Sequence, residues 1–507
     1  MKQVNRIVYN TFALYVKIGI VAITTLISTR LLLQILGVSN FGLYNLIAGT
    51  IALLSFLNAS LMMSMQRFLS LYLGKKDEQG LITIFNSGLT IHFIIAILVA
   101  LLLCAVKPVF FTFIFQIPGE IYNSALIVYD IINISIVITI LTIPYNAAIN
   151  AREEMWFFAI VEAIASICKL LAVYLLTVFP YNPLILYSIF MLGVLMFSSL
   201  VKYIWCILRY PETKFHWHQV KNRKFIKEQV GFVGWNALGA LAIVGRNQGV
   251  AIVLNSFWGT AINAAYGIAN QINSLVLTMA STTTTVFAPS IIRSKGENNN
   301  EKMLFIASFS SKISAFIAML IGLPILLNLE SILDFWLGIY PKETPSFCQM
   351  IILTFIVLQM YPGITRCLYA EGNIRNYQII SSVTLLLNIP IGILLFISDF
   401  SSDYILLSML VLQIITMLET VYFAKIKVGL MAWGFLRQVV LLIFVFALSY
   451  FIGKLFVFVI DNRLCQLIIS MLFSVTVFAF FFCILCLKTS ERKMFLNVIV
   501  NKIRSKK

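Results

Sequence analysis

Charge is what this sequence has least of. Only 11% of its 507 residues are Asp, Glu, Lys or Arg, where a soluble domain keeps roughly a quarter charged to hold its surface in water. With 60% of the residues hydrophobic, an ordinary soluble globule is excluded. Histidine is scarcer still. His92, His216 and His218 are the three, and they form no ligand set with the eight scattered cysteines. Cys483 and Cys486 make a C-x-x-C, but inside an apolar run, where packing is the expected role rather than metal or redox chemistry. No metal site, no cofactor and no catalytic set is expected. Nothing resembles a Walker motif, so direct ATP hydrolysis is not expected either. Acidic residues number 20 against 37 basic ones, a formal net charge of +17. That surplus does not indicate a nucleic-acid partner, because the basic residues sit in short clusters between apolar spans, the pattern that orients membrane helices.

What fills the sequence is continuous apolar runs of about 20 residues, the length a helix needs to cross a bilayer. A barrel would alternate apolar and polar residues instead. The reading is an all-α polytopic membrane protein of about fourteen transmembrane helices. The first is expected over 9–32, the second over 42–64, the sixth over 184–206, the tenth over 347–369 and the last over 464–487. Lys2 and Arg6 ahead of the first run resemble a signal peptide. No small-residue cleavage site follows, so the run is read as a span that stays. With both termini cytoplasmic, 28 of the basic residues fall in inner segments and 5 in outer ones. A span missed or invented in mid-chain would destroy that bias.

The segment Arg209–Lys227 is basic, with Phe215, Trp217, Phe225 and Ile226 interleaved. It reads as an amphipathic interfacial helix joining two halves, with a plain basic loop as the alternative. Internal similarity supports the halves. LGVSNFGLYNLIAG from Leu36 and FWGTAINAAYGIAN from Phe257 align Gly37 with Gly259 and Tyr44 with Tyr266 at an offset of 222. PYNAAINAREEM from Pro144 matches PGITRCLYAEGN from Pro362 more loosely. The expected organisation is a six-helix bundle over 1–208, the linker over 209–227 and a second six-helix bundle over 228–427. Two extra helices follow over 428–488, and a basic cytoplasmic tail over 489–507. Internal repeats of this kind build the alternating-access cavities of many transporters.

Further landmarks are Arg30 with LLLQILGVSNFGLYNL, RFLSLYLGKKDEQG from Arg67 and IPYNAAINAREEM from Ile143. GWNALG from Gly234, NQGVAIVLNSFWGTAINAAYGIANQI from Asn247 and FAPSIIRSKG from Phe287 follow in the second half. In order and spacing, from about residue 8 to 425, these pieces resemble the polysaccharide-transporter family, which includes O-antigen flippases of the Wzx type. That family belongs to the multidrug/oligosaccharidyl-lipid/polysaccharide superfamily, with the MATE exporters. The resemblance implies two six-helix bundles in a V around a central cavity, related by a pseudo-two-fold repeat. It also implies translocation of an undecaprenyl-pyrophosphate-linked oligosaccharide from the inner to the outer leaflet of the bacterial inner membrane.

A charge at the bilayer centre costs roughly 2.5–3.5 kcal/mol on insertion scales, so charges at depth need a reason. Lys17, Lys169, Arg246 and Lys312 fall within expected spans, and Arg30 at the outer end of the first. Asp130 and Glu162, with Glu419 near an inner end, are the acidic counterparts. A basic excess suits a cavity for an anionic pyrophosphate, since Arg offers paired donors and Lys a point charge. Arg246 is the foremost candidate, with Asn236, Asn247 and Gln248 making one side of its helix polar. The alternative for each cation is a structural pairing within the bundle, and Lys17 can also snorkel to the interface. Asp130 and Glu162 are the candidate coupling carboxylates for a proton or sodium gradient, or else salt-bridge partners. Glu162 and Lys169 lie two turns apart on one helix face, too distant for a direct pair. The run STTTT from Ser281 ahead of Pro289 allows a bend in its span.

Three functions are weighed. The first is a flippase for an O-antigen, capsule or exopolysaccharide repeat unit, its partners being the lipid-linked substrate, membrane lipids and other polysaccharide-assembly proteins. The second is a MATE-like exporter of a small molecule, though carboxylates would be expected to line a cavity for cationic drugs. The third is a membrane-embedded polymerase or ligase, which would present a large outer loop with catalytic residues. The outer loops around 107–120 and 328–346 are short.

Overall fold

The structure, a computed structural model, describes residues 2–52, 55–114, 119–179, 181–214, 223–457 and 463–487. Among them the regular structure is helical throughout. The helices are α1 (Lys2–Ala52), α2 (Ser55–Lys75), α3 (Glu78–Val109), α4 (Gly119–Ala151), α5 (Met155–Leu175) and α6 (Pro183–Arg209). After residues 215–222 come α7 (Phe225–Gly259), α8 (Ala261–Gly296) and α9 (Asn300–Leu327). Then follow α10 (Leu329–Trp336), α11 (Thr344–Leu358) and α12 (Pro362–Glu371). The last are α13 (Arg375–Ile397), α14 (Asp403–Val428), α15 (Ala432–Val457) and α16 (Arg463–Phe481).

Twelve helices among the described residues are long and apolar enough to cross a membrane, or thirteen with the α11–α12 pair counted as one span. The chain is a multi-pass membrane protein. The span expected over 42–64 runs across residues 53–54, which lie outside the described residues, as do Phe215 and Trp217 of the expected interfacial helix and the whole tail 489–507.

α3 shows how such a helix reads. Leu81, Phe85, Gly88, His92, Ala96, Val99 and Leu103 are buried at three- and four-residue spacing, while Ile94, Leu98 and Leu101 on the outer side stay exposed. A helix apolar all round, with only one stripe packed against protein, offers its remaining face to lipid. Polar caps stop and start the chain. Asp77 accepts from the Gly80 amide at 2.8 Å, Asn182 from Leu184 at 3.1 Å ahead of Pro183, and Asn299 from Lys302 at 2.9 Å. Each satisfies a donor that the first helical turn leaves open.

Gly259 separates α7 from α8 at φ 80° and ψ −175°, a conformation that is essentially glycine-only. Gly37, aligned with it from the sequence, falls within the residue range of α1. Between α11 and α12 the axis bends by 45°, where Gln359, Met360 and Tyr361 leave the helix and Pro362 restarts it. α8 runs through Pro289 as helix, and its hydroxyls bond back to their own turn. Thr282 donates to the Thr278 carbonyl at 2.7 Å and Thr285 to that of Ser281 at 3.1 Å.

By contacts the chain divides into two compact units, Arg6–Ala237 and Leu238–Lys507, the latter including Met1–Asn5. In the first, α4 packs against α2, α3 and α6, and α5 against α6. Ile47, Leu61, Ala125, Val128 and Tyr129 are fully buried in its core. One end is tied by a polar network. Asn10 donates to the Glu153 carbonyl at 2.7 Å and accepts from the Trp156 amide at 3.0 Å, while Arg152 holds Glu212 at 2.6 Å. Tyr210 donates to Glu154 at 2.7 Å, and burial followed by that bond pushes its phenol above the ordinary range. In the second unit, α14 packs against α11, α12 and α13, and α9 against α12. α15 and α16, read from the sequence as an appendix, pack on α9 within this unit. A Cβ at Gly453 of α15 would stand 2.6 Å from Leu327 Cδ1.

Candidate functional site

The first unit encloses a cavity of about 580 Å³. Its wall is built from helical spacing. Ser135, Thr139, Thr142 and Asn146 recur every three to four residues along one face of α4, and Glu162, Ser166 and Lys169 do the same on α5. α1 adds Thr24, Thr25, Ser28 and Thr29, and α6 adds Ser198, Ser199 and Lys202. A helical serine or threonine satisfies its own hydroxyl proton by bonding back one turn, as Ser135 does to Ile131 at 2.9 Å and Thr139 to Ser135 at 2.8 Å. The oxygen lone pairs then remain for another partner. Some join the helices. Thr24 and Ser166 share a hydrogen bond of 2.5 Å, and Thr142 donates to Ser199 at 3.1 Å. Tyr44 and Tyr187, edge to face at 4.8 Å, complete the lining.

The charges are arranged around one aromatic ring. Lys202, whose side chain is 5% exposed, is ion-paired with Glu162. Its ammonium lies 4.7 Å from the centroid of Phe158, and that of Lys17 lies 5.5 Å from the same ring. Both cations thus gain from the ring's negative face, while Glu162 neutralises one of them. Lys169 lines the cavity, is exposed there, and has no ion-pair partner among the described residues. Lys17 is not among the lining residues, but Lys169 and Lys202 face the single Glu162 there, and the cavity keeps a positive surplus beside its hydroxyl groups.

The structure places Glu162 and Lys169 in one cavity wall and Lys17 beside Phe158 outside that lining. It assigns Glu162 to Lys202, 40 residues away, and not to Lys169. Lys202 is not among the sequence candidates, because it sits near the cytoplasmic end of its expected span, where a lysine passes for a topogenic one. α6 in fact continues to Arg209, and the spacing of Ser198, Ser199 and Lys202 was the available signal. Arg30 is exposed and does not line the cavity. Asp130 lies outside the lining and is bound by Lys107 through both oxygens, at 2.7 and 2.8 Å.

Arg246 belongs to the second unit, on α7, with its side chain buried. Its Nη1 donates to Gln413 Oε1 at 3.1 Å and its Nε to Asn247 Oδ1 at 3.3 Å. Gln413 in turn donates to the Tyr361 hydroxyl at 2.6 Å, immediately before α12. No carboxylate pairs with Arg246 among the described residues. A buried guanidinium held only by neutral groups keeps its full charge available. Of the polar residues expected on its helix, Asn247 is the one bonded to Arg246, Asn236 is buried and Gln248 is exposed. Lys312 is buried on α9 beside Ser311, which accepts from the Gly363 amide at 3.0 Å, and near Ser314, which donates to Gln359 at 2.6 Å. No local pattern marks Gln413 or Tyr361 as partners, since 167 residues separate Gln413 from Arg246.

The fold is that of a MATE-like membrane protein. No known family profile and no curated protein matches the sequence. Solved structures do match. An outward-facing multidrug resistance MATE family transporter of the MOP superfamily superposes with a TM-score of 0.74 at 12% identity, over 84% of this chain and 96% of that one. A MATE in the bent conformation gives 0.73 at 14% identity, over 84% and 98%. A MOP superfamily transporter from Pyrococcus furiosus gives 0.69 at 13% identity, over 84% and 96%. Its description states that the reverse polarity of its binding pocket suggests a different function. At these identities the likeness is one of fold.

Proposed function

We propose that the chain is a membrane transporter for an anionic, sugar-bearing cargo: a flippase that carries an undecaprenyl-pyrophosphate-linked oligosaccharide from the inner to the outer leaflet by alternating access. The observation that carries this reading is the cavity of the first unit, where hydroxyl groups line the wall and lysines outnumber the one glutamate. Sugars are held by hydroxyl-to-hydroxyl bonds, and phosphate or uronate oxygens by ammonium groups. The lipid tail stays in the bilayer while the head passes, and no covalent chemistry is required. The MATE-like fold of solved transporters supports a transporter, and the motif resemblance supports this cargo. The inner membrane, cytoplasmic termini and contact with other polysaccharide-assembly proteins belong to the same proposal.

A second reading is favoured by size. A cavity of about 580 Å³ falls within the range of small-molecule sites, which suits a MATE-like exporter of a small anion. Deletion of the gene separates the two. A flippase deletion accumulates lipid-linked oligosaccharide facing the cytoplasm, and re-expression of the chain clears it. An exporter deletion leaves lipid-linked intermediates unchanged and raises a soluble anion inside the cell.

A further inference from the structure

Three carboxylates lie within expected spans, and two are answered by lysine: Asp130 by Lys107, Glu162 by Lys202. Glu419 on α14 is not. It stands about 14 Å of helix from Val428, at 1.5 Å per residue, and has no ion-pair partner among the described residues. Its Oε1 accepts from the Thr384 hydroxyl of α13 at 2.5 Å, while Oε2 is buried with no hydrogen-bond partner. A buried acceptor on a charged group left without a donor is costly, and a full negative charge at this depth costs more than the neutral acid.

Among the described residues no lysine or arginine of the neighbouring helices is ion-paired with Glu419. On α13 the facing groups are Thr384 and Tyr377, whose hydroxyl is shared with Thr420 at 3.2 Å. On α12 the charged and titratable groups are Arg366, Cys367, Tyr369 and Glu371, and Gln378 of α13 donates to the Tyr369 hydroxyl at 3.2 Å. Glu371 is paired with Lys295 at 2.6 Å. Arg437 on α15 is exposed, and α11 brings no titratable side chain other than the buried Cys348 near its start. A metal cation needs several converging oxygens, and no cluster of three His, Cys, Asp or Glu residues exists among the described residues. A proton needs only the one open oxygen.

We propose that Glu419 is a proton-binding site of the second unit, taking a proton on Oε2 and releasing it to water as the protein cycles. One O–H bond forms, the carboxylate becomes a neutral acid, and no electrons are exchanged. Thr384 holds the other oxygen in both states and positions the group. In the transporter reading this site supplies the coupling ion. Proton binding itself does not rest on that reading, and its test needs no cargo.

The test is infrared difference spectroscopy on the purified full-length chain in lipid, in sodium-free buffer, as the pH is stepped downward. A protonated-carboxyl band grows in the wild type, is lost in Glu419→Gln and persists in Asp130→Asn. In Thr384→Val the band shifts in frequency, because the hydrogen bond to Oε1 is gone. A band retained in full by Glu419→Gln, or unshifted in Thr384→Val, overturns the assignment. The Thr384 result stands by itself if the Glu419 variant does not fold. Suppression of the band by added sodium at fixed pH also overturns it, in favour of a cation site.

Discussion

Lys202 and Glu162 come from adjacent helices and form an ion pair at the cavity wall, with Phe158 beneath the Lys202 ammonium. The lysine is almost wholly buried and the glutamate is 34% exposed. Breaking a fully buried pair costs about 3–5 kcal/mol, and exposed pairs about 0–1 kcal/mol. Lys202→Met is therefore expected to lower stability by about 1–3 kcal/mol, and Lys202→Met with Glu162→Gln by less. Thermal unfolding of the purified variants checks it. Equal losses in the single and double variants would show that the pair contributes nothing.

Lys169 faces the cavity with no ion-pair partner among the described residues, so its removal disturbs no pairing among them. Lys169→Ala is expected to keep wild-type stability and to bind anionic cargo roughly ten- to a hundredfold more weakly, the equivalent of one charge-assisted hydrogen bond. A binding titration alongside an unfolding curve reads both. Lost stability with unchanged binding would make Lys169 structural.

Arg246→Ala is expected to abolish rescue of a deletion strain while the protein remains in the membrane at normal level. Gln413→Ala releases one of its two hydrogen bonds and is expected to weaken rescue partially. Complementation with quantified membrane protein measures this. Normal rescue by the alanine variant removes Arg246 from the function.

Gly259→Ala has open space for the added methyl, so its effect is purely conformational. A non-glycine residue at φ 80° and ψ −175° costs about 1–3 kcal/mol. Gly363→Ala is hindered differently, because its Cβ would stand 2.1 Å from the Ala307 carbonyl. Both variants are expected to lower the unfolding temperature, and an unchanged Gly259→Ala would mean that the α7–α8 break relaxes into helix.

Much of the fold was legible in the chain. Apolar runs at helical length and basic clusters between them announced a multi-pass bundle, because lipid admits little else. The site was legible only in part. Depth alone marked Lys17, Glu162 and Lys169, since a charge inside an apolar run stands out. Lys202 did not, because it lies close enough to a loop to pass for a topogenic lysine. The hydroxyl face Ser135, Thr139, Thr142 was present as spacing, but such faces also satisfy themselves and carry no separate mark. Lys107 for Asp130 and Gln413 for Arg246 are tertiary partners that no local pattern specifies.

The most direct measurement is binding by the purified full-length protein, in one titration format, of an undecaprenyl-pyrophosphate-linked oligosaccharide and of a lipophilic cationic drug. Saturable binding of the anionic lipid is expected, weakened by salt and by Lys169→Ala, with none of the drug. Preference for the cation, or anionic binding indifferent to both salt and Lys169, would contradict a cavity selected by its surplus of lysine.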